Sequence, residues 1–115
     1  VSPHLMAVMS QPALDRYLPD LQAGGTLITD AELVQQIPSL HGVRLLQGLF
    51  TTVASQELGR PIVANMVMLG FLAGATGLVS PDSLREAVRQ GVPPGTEALN
   101  LQAAERGLAM AASLR

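Results

Sequence analysis

The beginning of the chain carries the pattern that most restricts its fold. Residues 5–9 form an uninterrupted apolar run, which is typical of a strand buried on both faces in a parallel sheet. Ser10 is a suitable N-cap for the helix that follows. Gly24 and Gly25 then let the chain turn back into a second strand at residues 26–29. A strand, a helix and a second strand in this order predict two parallel strands joined by a right-handed crossover.

The rest of the chain contains one further predicted strand and then only helices. The strand is expected at residues 43–49, and the helices are expected at residues 51–58, 61–77, 80–91 and 97–113, the last interrupted near Asn100. Because aromatic residues make up only 3% of the chain, its core must be aliphatic. We therefore predict an α/β fold, a Rossmann-like three-layer arrangement with a mainly parallel sheet and a helical C-terminal half, in a single domain of residues 1–115.

Residues 62–75 form the longest apolar run, interrupted only by Asn65, Gly70 and Gly74. The run falls short of the roughly 20 apolar residues that a bilayer span needs, so a buried helix is predicted. The two glycines, spaced by four, predict the close approach of another backbone. Asn65 is then the exception, since a buried amide needs hydrogen-bond partners. Either it ties the helix to a neighbouring loop or it faces a partner protein.

Composition excludes several kinds of chemistry. The chain has no cysteine, so it has no thiolate nucleophile, no disulfide and no usual ligands for an iron–sulfur cluster. It has no lysine, and its seven cationic residues are scattered arginines, which argues against nucleic-acid binding. His4 and His41 are isolated in polar surroundings and do not form a zinc site. The absence of disulfides and of a signal peptide favours the cytoplasm.

No catalytic, cofactor-binding or metal-binding residue is predicted. The helical carboxylates offer no convergent pair for acid–base work; they are Asp82, Glu86 and Glu97. Nucleotide-binding glycine motifs are also absent. Ser10 and Gln11 follow the first strand, at the sheet edge where open α/β folds bind ligands, although Ser10 has a simpler role as a helix cap. The candidate interface or anchoring residues are therefore Ser10, Gln11, Asn65, Met66 and Met68. Asp30 is expected to cap a short turn after the second strand.

Several segments together resemble one family. Residues 9–19, 24–28, 52–59 and 100–107 resemble, in order, parts of the gamma subunit or gamma domain of 2-oxoacid:ferredoxin oxidoreductases, and the block Val-Ala-Asn-Met-Val-Met-Leu-Gly at 63–70 is the strongest match. Arg60-Pro61-Ile62 and Leu108 depart from the usual pattern. The glycine-rich strand–helix turn that begins the family's gamma domain is absent, so we expect this chain to be the C-terminal part, with the N-terminal part missing.

The resemblance implies a multisubunit enzyme that oxidatively decarboxylates a 2-oxoacid with coenzyme A, giving an acyl-CoA and reduced ferredoxin. It favours 2-oxoglutarate as the substrate. It assigns thiamine diphosphate and the iron–sulfur clusters to partner subunits, which are alpha and beta subunits, with a delta subunit as a further candidate. No cofactor is expected in this chain, whose role would be structural, and the isolated chain is expected to be inactive.

Two alternatives remain open from the residues. The Gly24-Gly25-Thr26-Leu27 turn also occurs in Rossmann-type methyltransferases, but a fragment of such an enzyme should end in an antiparallel strand where this chain predicts helix. The other alternative is a non-enzymatic interaction module, in which the methionine-containing helix forms a groove for a partner.

Overall fold

The computed structural model describes residues 4–40 and 42–114. The predicted loop position of His41 lies outside the described residues. The chain forms two compact units, Val1–Leu49 and Phe50–Arg115. Within the described residues the first unit holds all the strands and the second is helical, so the predicted α/β class with a helical C-terminal half is confirmed.

Three parallel strands form the sheet of the first unit: β1 (Leu5–Val8), β2 (Thr26–Asp30) and β3 (Arg44–Gly48), in the order β1-β2-β3. Leu5 pairs with Thr26, so the predicted parallel neighbours are confirmed. The inner strand of the described sheet is β2, whose last four residues are buried. In contrast, β1 lies at an edge and is mostly half-buried, so the prediction that it is buried on both faces is wrong within the described residues.

Local capping explains the connection from β1 to β2. Helix α1 (Gln11–Tyr17) begins at Ser10, whose hydroxyl accepts a hydrogen bond of 3.2 Å from the Ala13 N–H. A 3-10 turn, Leu18–Asp20, follows. A β-carbon at Gly25 would lie 2.7 Å from the carbonyl oxygen of His4, so only glycine lets the chain re-enter the sheet here. The core of this unit is an aliphatic cluster centred on Val8, Leu14, Leu27 and Val34.

The second unit contains four helices: α2 (Phe50–Gln56), α3 (Ala64–Thr76), α4 (Pro81–Gly91) and α5 (Glu97–Ala112). The helix predicted from Pro61 starts with a 3-10 turn, Pro61–Val63, and ends at Gly77 in the left-handed conformation with φ 70°. The interruption predicted near Asn100 is wrong. Its amide donates a 3.0 Å hydrogen bond to the carbonyl oxygen of Thr96 one turn earlier, so α5 continues through it.

Helices α3 and α5 form the centre of this unit through glycine. A β-carbon at Gly70 would overlap the carbonyl oxygen of Ala104, and one at Gly74 would lie 2.8 Å from the β-carbon of Ala111. The close backbone approach predicted from the paired glycines is therefore confirmed. Beside this contact, the rings of Phe50 and Phe71 pack edge to face with centroids 5.1 Å apart, which joins α2 to α3.

Candidate interaction residues

The side chains of Ser10 and Gln11 are engaged in local structure. The Gln11 amide nitrogen donates to the carbonyl oxygen of Gln36 at 2.7 Å and to the carboxylate of Asp15 at 3.0 Å. Its amide oxygen accepts from the Gln36 N–H at 3.0 Å. This paired contact fixes the segment after β2 to the start of α1. The prediction that Ser10 is a helix cap is confirmed, whereas a ligand or partner role for either residue stays a prediction.

The carboxyl end of β2 is occupied by a buried acid. The Asp30 carboxylate accepts hydrogen bonds from the Glu32 N–H at 2.9 Å and from the Leu33 N–H at 3.1 Å. Its side chain is fully buried, and the expected turn-capping role is confirmed. Backbone donors at this depth satisfy a carboxylate that would otherwise be costly to bury. Asp30 therefore fixes the turn that follows the inner strand.

Asn65 is exposed, contrary to the expectation of a buried amide. Its side chain makes no hydrogen bond to any residue that the structure describes, so the predicted tie to a neighbouring loop is wrong. The reason lies in the geometry of α3. Asn65 is nine residues, or about two and a half turns, before Gly74, which puts it on the side of the helix opposite the contact with α5. An interface role for Asn65 stays a prediction.

The exposed side of α3 is apolar apart from this amide. Ile62 in the preceding 3-10 turn is 85% exposed and Leu69 is 37% exposed; with Asn65 they define the α3 face, at the spacing of three and four residues expected along one helix side. Residues 61–81 contain no charged side chain. The predicted burial of this helix is therefore confirmed on one side only within the described residues, and its coverage by a partner on the other side stays a prediction. Exposed uncharged patches on a folded domain are typical of contact surfaces.

The two methionines lie at the sides of this face. Met66 is half-buried and packs against the cluster of Ala73, Leu84, Val88 and Ala104. Met68 is also half-buried. Met66 therefore contributes to the helical core, and the exposed part of this residue lies next to Asn65. The sequence analysis did not predict that Ile62 is exposed, although its position in a long stretch without charged residues was an indication of an exposed apolar surface.

Arginines pair with the carboxylates of the helical unit. Arg85 on α4 contacts Glu105 on α5 through two hydrogen bonds and reaches Asp82 at 2.9 Å. Arg106 on α5 donates to the carboxylate of Glu57 at 2.9 and 3.2 Å. The hydrogen bonds from Arg85 lower the pKa of Glu105, and those from Arg106 lower the pKa of Glu57. Both carboxyl groups are therefore held ionised. They can act as ion-pair partners of the arginines, but they carry no proton to donate in catalysis near neutral pH.

No three side chains of the types that ligate metal, which are His, Cys, Asp and Glu, come together around a common position in residues 4–40 and 42–114. No helix in that part of the chain has the length and apolar character needed to cross a membrane.

Comparison with known proteins identifies the relatives of this chain. A family described as pyruvate ferredoxin/flavodoxin oxidoreductase matches residues 1–110. The chain is 41% identical over 111 residues to the 2-oxoglutarate synthase subunit KorC of Methanothermobacter marburgensis, a match that covers 92% of this chain and 60% of that protein. It is 39% identical over 116 residues to KorC of Methanocaldococcus jannaschii, covering 99% of this chain and 62% of that protein.

A solved structure has the same fold. The gamma subunit of a keto/oxoacid ferredoxin oxidoreductase from Geobacter sulfurreducens superposes with a TM-score of 0.89 at 33% identity, covering 96% of this chain and 64% of that one. The chain thus spans about three fifths of the length of the curated relatives it matches. The family match and the shared fold confirm the resemblance seen in the sequence, and this chain belongs to the pyruvate ferredoxin/flavodoxin oxidoreductase family.

Proposed function

We propose that this chain is the gamma component of a 2-oxoacid:ferredoxin oxidoreductase that converts 2-oxoglutarate and coenzyme A to an acyl-CoA. The observation that carries the proposal is the 41% identity to the KorC subunit of a 2-oxoglutarate synthase along 92% of the chain. The choice of 2-oxoglutarate rests on the name of that relative. The cytoplasm is the proposed compartment, and ferredoxin is the proposed electron acceptor of the whole assembly.

The proposed role of this chain within the assembly is structural. Its side chains do not fit an iron–sulfur cluster, because the chain contains no cysteine to supply thiolate ligands. The carboxylates of Glu57 and Glu105 are occupied by arginines, and the amide of Gln11 is occupied by backbone groups. Thiamine diphosphate and the clusters therefore belong, in this proposal, to partner subunits of the alpha and beta type, with a delta subunit as a further candidate.

Two features support assembly as the role. The α3 face offers an uncharged apolar surface on a rigid helix, and α3 is held from behind by the glycine contacts with α5. The proposed contact residues are Asn65, Met66 and Met68, with Ser10 and Gln11 as further candidates near the sheet. Residues 1–115 are proposed to act as a single domain.

The test is native co-purification of the tagged protein followed by identification of its companions by mass spectrometry. We expect subunits of a thiamine-diphosphate oxidoreductase to co-purify. The complex should reduce a viologen dye when given both 2-oxoglutarate and coenzyme A, and the purified chain alone should not. Pyruvate given in place of 2-oxoglutarate tests the substrate assignment. Viologen reduction by the chain alone would contradict the structural role.

The second candidate is a non-enzymatic interaction module, which the exposed α3 face also favours. If this second candidate is right, the proteins that co-purify with the chain should not be oxidoreductase subunits. A methyltransferase fragment is not supported, because residues 50–114 form helices where that fold needs a terminal antiparallel strand.

A further inference from the structure

We draw no further inference here: the strongest candidate, the uncharged cavity beside the start of α3 that is lined by Ile62 and Leu99 among others, adjoins the exposed α3 face, and nothing in the structure shows what covers either of them.

Discussion

Gly70 on α3 and Gly107 on α5 lie directly against each other. A β-carbon at Gly107 would be 3.0 Å from the carbonyl carbon of Gly70 and 2.6 Å from the backbone nitrogen of Phe71, and a β-carbon at Gly70 would be 2.9 Å from the carbonyl carbon of Ala104. Real β-carbons do not sit this close to backbone atoms, so both positions require glycine for the helices to meet. The two helix backbones therefore meet without side chains between them, and the buried rings of Phe50 and Phe71 pack beside this contact.

Gly107→Ala should therefore destabilise the protein. The added methyl group must separate two helix backbones, which costs about 1–3 kcal/mol or more in a packed core. Urea denaturation followed by circular dichroism measures the change in the free energy of unfolding. Gly91→Ala is the matched control, because a β-carbon there meets nothing within 4 Å. An equal effect at the two positions would contradict the account of the helix contact.

Removing the Gln11 amide should loosen the segment after β2. Gln11→Ala deletes both hydrogen bonds to the backbone of Gln36, at about 0.5–1.5 kcal/mol each. We expect a lower free energy of unfolding and faster hydrogen exchange at the Gln36 N–H. The control is Gln22→Ala, an exposed glutamine whose side chain has no hydrogen-bond partner among the described residues. An unchanged exchange rate at the Gln36 N–H would show that the two hydrogen bonds from the Gln11 side chain to the Gln36 backbone do not form in solution.

The arginine–carboxylate pairs predict how stability depends on pH. Hydrogen bonds from Arg85 and Arg106 lower the pKa values of Glu105 and Glu57 from about 4.5. A carboxyl group whose pKa is lower in the folded state binds fewer protons there than in the unfolded state. Its contribution to stability is therefore fully present above about pH 4.5 and is lost as the pH falls through the lowered, folded-state values.

Denaturation midpoints measured between neutral pH and pH 3 test this dependence. The double substitution Glu57→Gln, Glu105→Gln removes both titrating carboxyl groups. The doubly substituted chain should therefore lose less stability in acid than the unaltered chain. The control is Asp20→Asn, an exposed carboxyl outside both pairs. If the double variant loses stability in acid as steeply as the parent, other carboxylates account for the acid sensitivity.

Asn65→Leu separates folding from assembly. Because the amide is exposed and forms no hydrogen bond within the described residues, the substitution should change the stability of the chain by no more than about 0.5 kcal/mol. If Asn65 faces a partner, binding to the complex should weaken, since the partner loses a hydrogen-bonding group. Thermal denaturation and co-purification measure the two effects. A chain that assembles as well with leucine at this position would rule out an interface role for the amide.

The sequence by itself determined the elements that depend on local chemistry. The Ser10 cap, the Gly24-Gly25 turn and the Asp30 turn are each specified within a few residues of the chain, because capping and left-handed glycine act locally. The parallel pairing that joins Leu5 to Thr26 follows from the short helical crossover between the two strands. The glycine spacing on α3 also predicted a close helix contact. Family membership followed from the order of such segments along nearly the whole chain.

Only the tertiary structure decided which side of α3 is covered. A helix that is apolar on nearly all sides gives no sign of which side its neighbours occupy, so the sequence left Asn65 open between a loop contact and a partner contact and did not show that Ile62 is exposed. The contact of Gly70 and Gly74 with α5 fixes one side of the helix, and Asn65 consequently lies on the other, in solvent. Burial depends on residues distant along the chain, which is why the pattern around Asn65 predicted a helix correctly but could not decide which groups surround the amide.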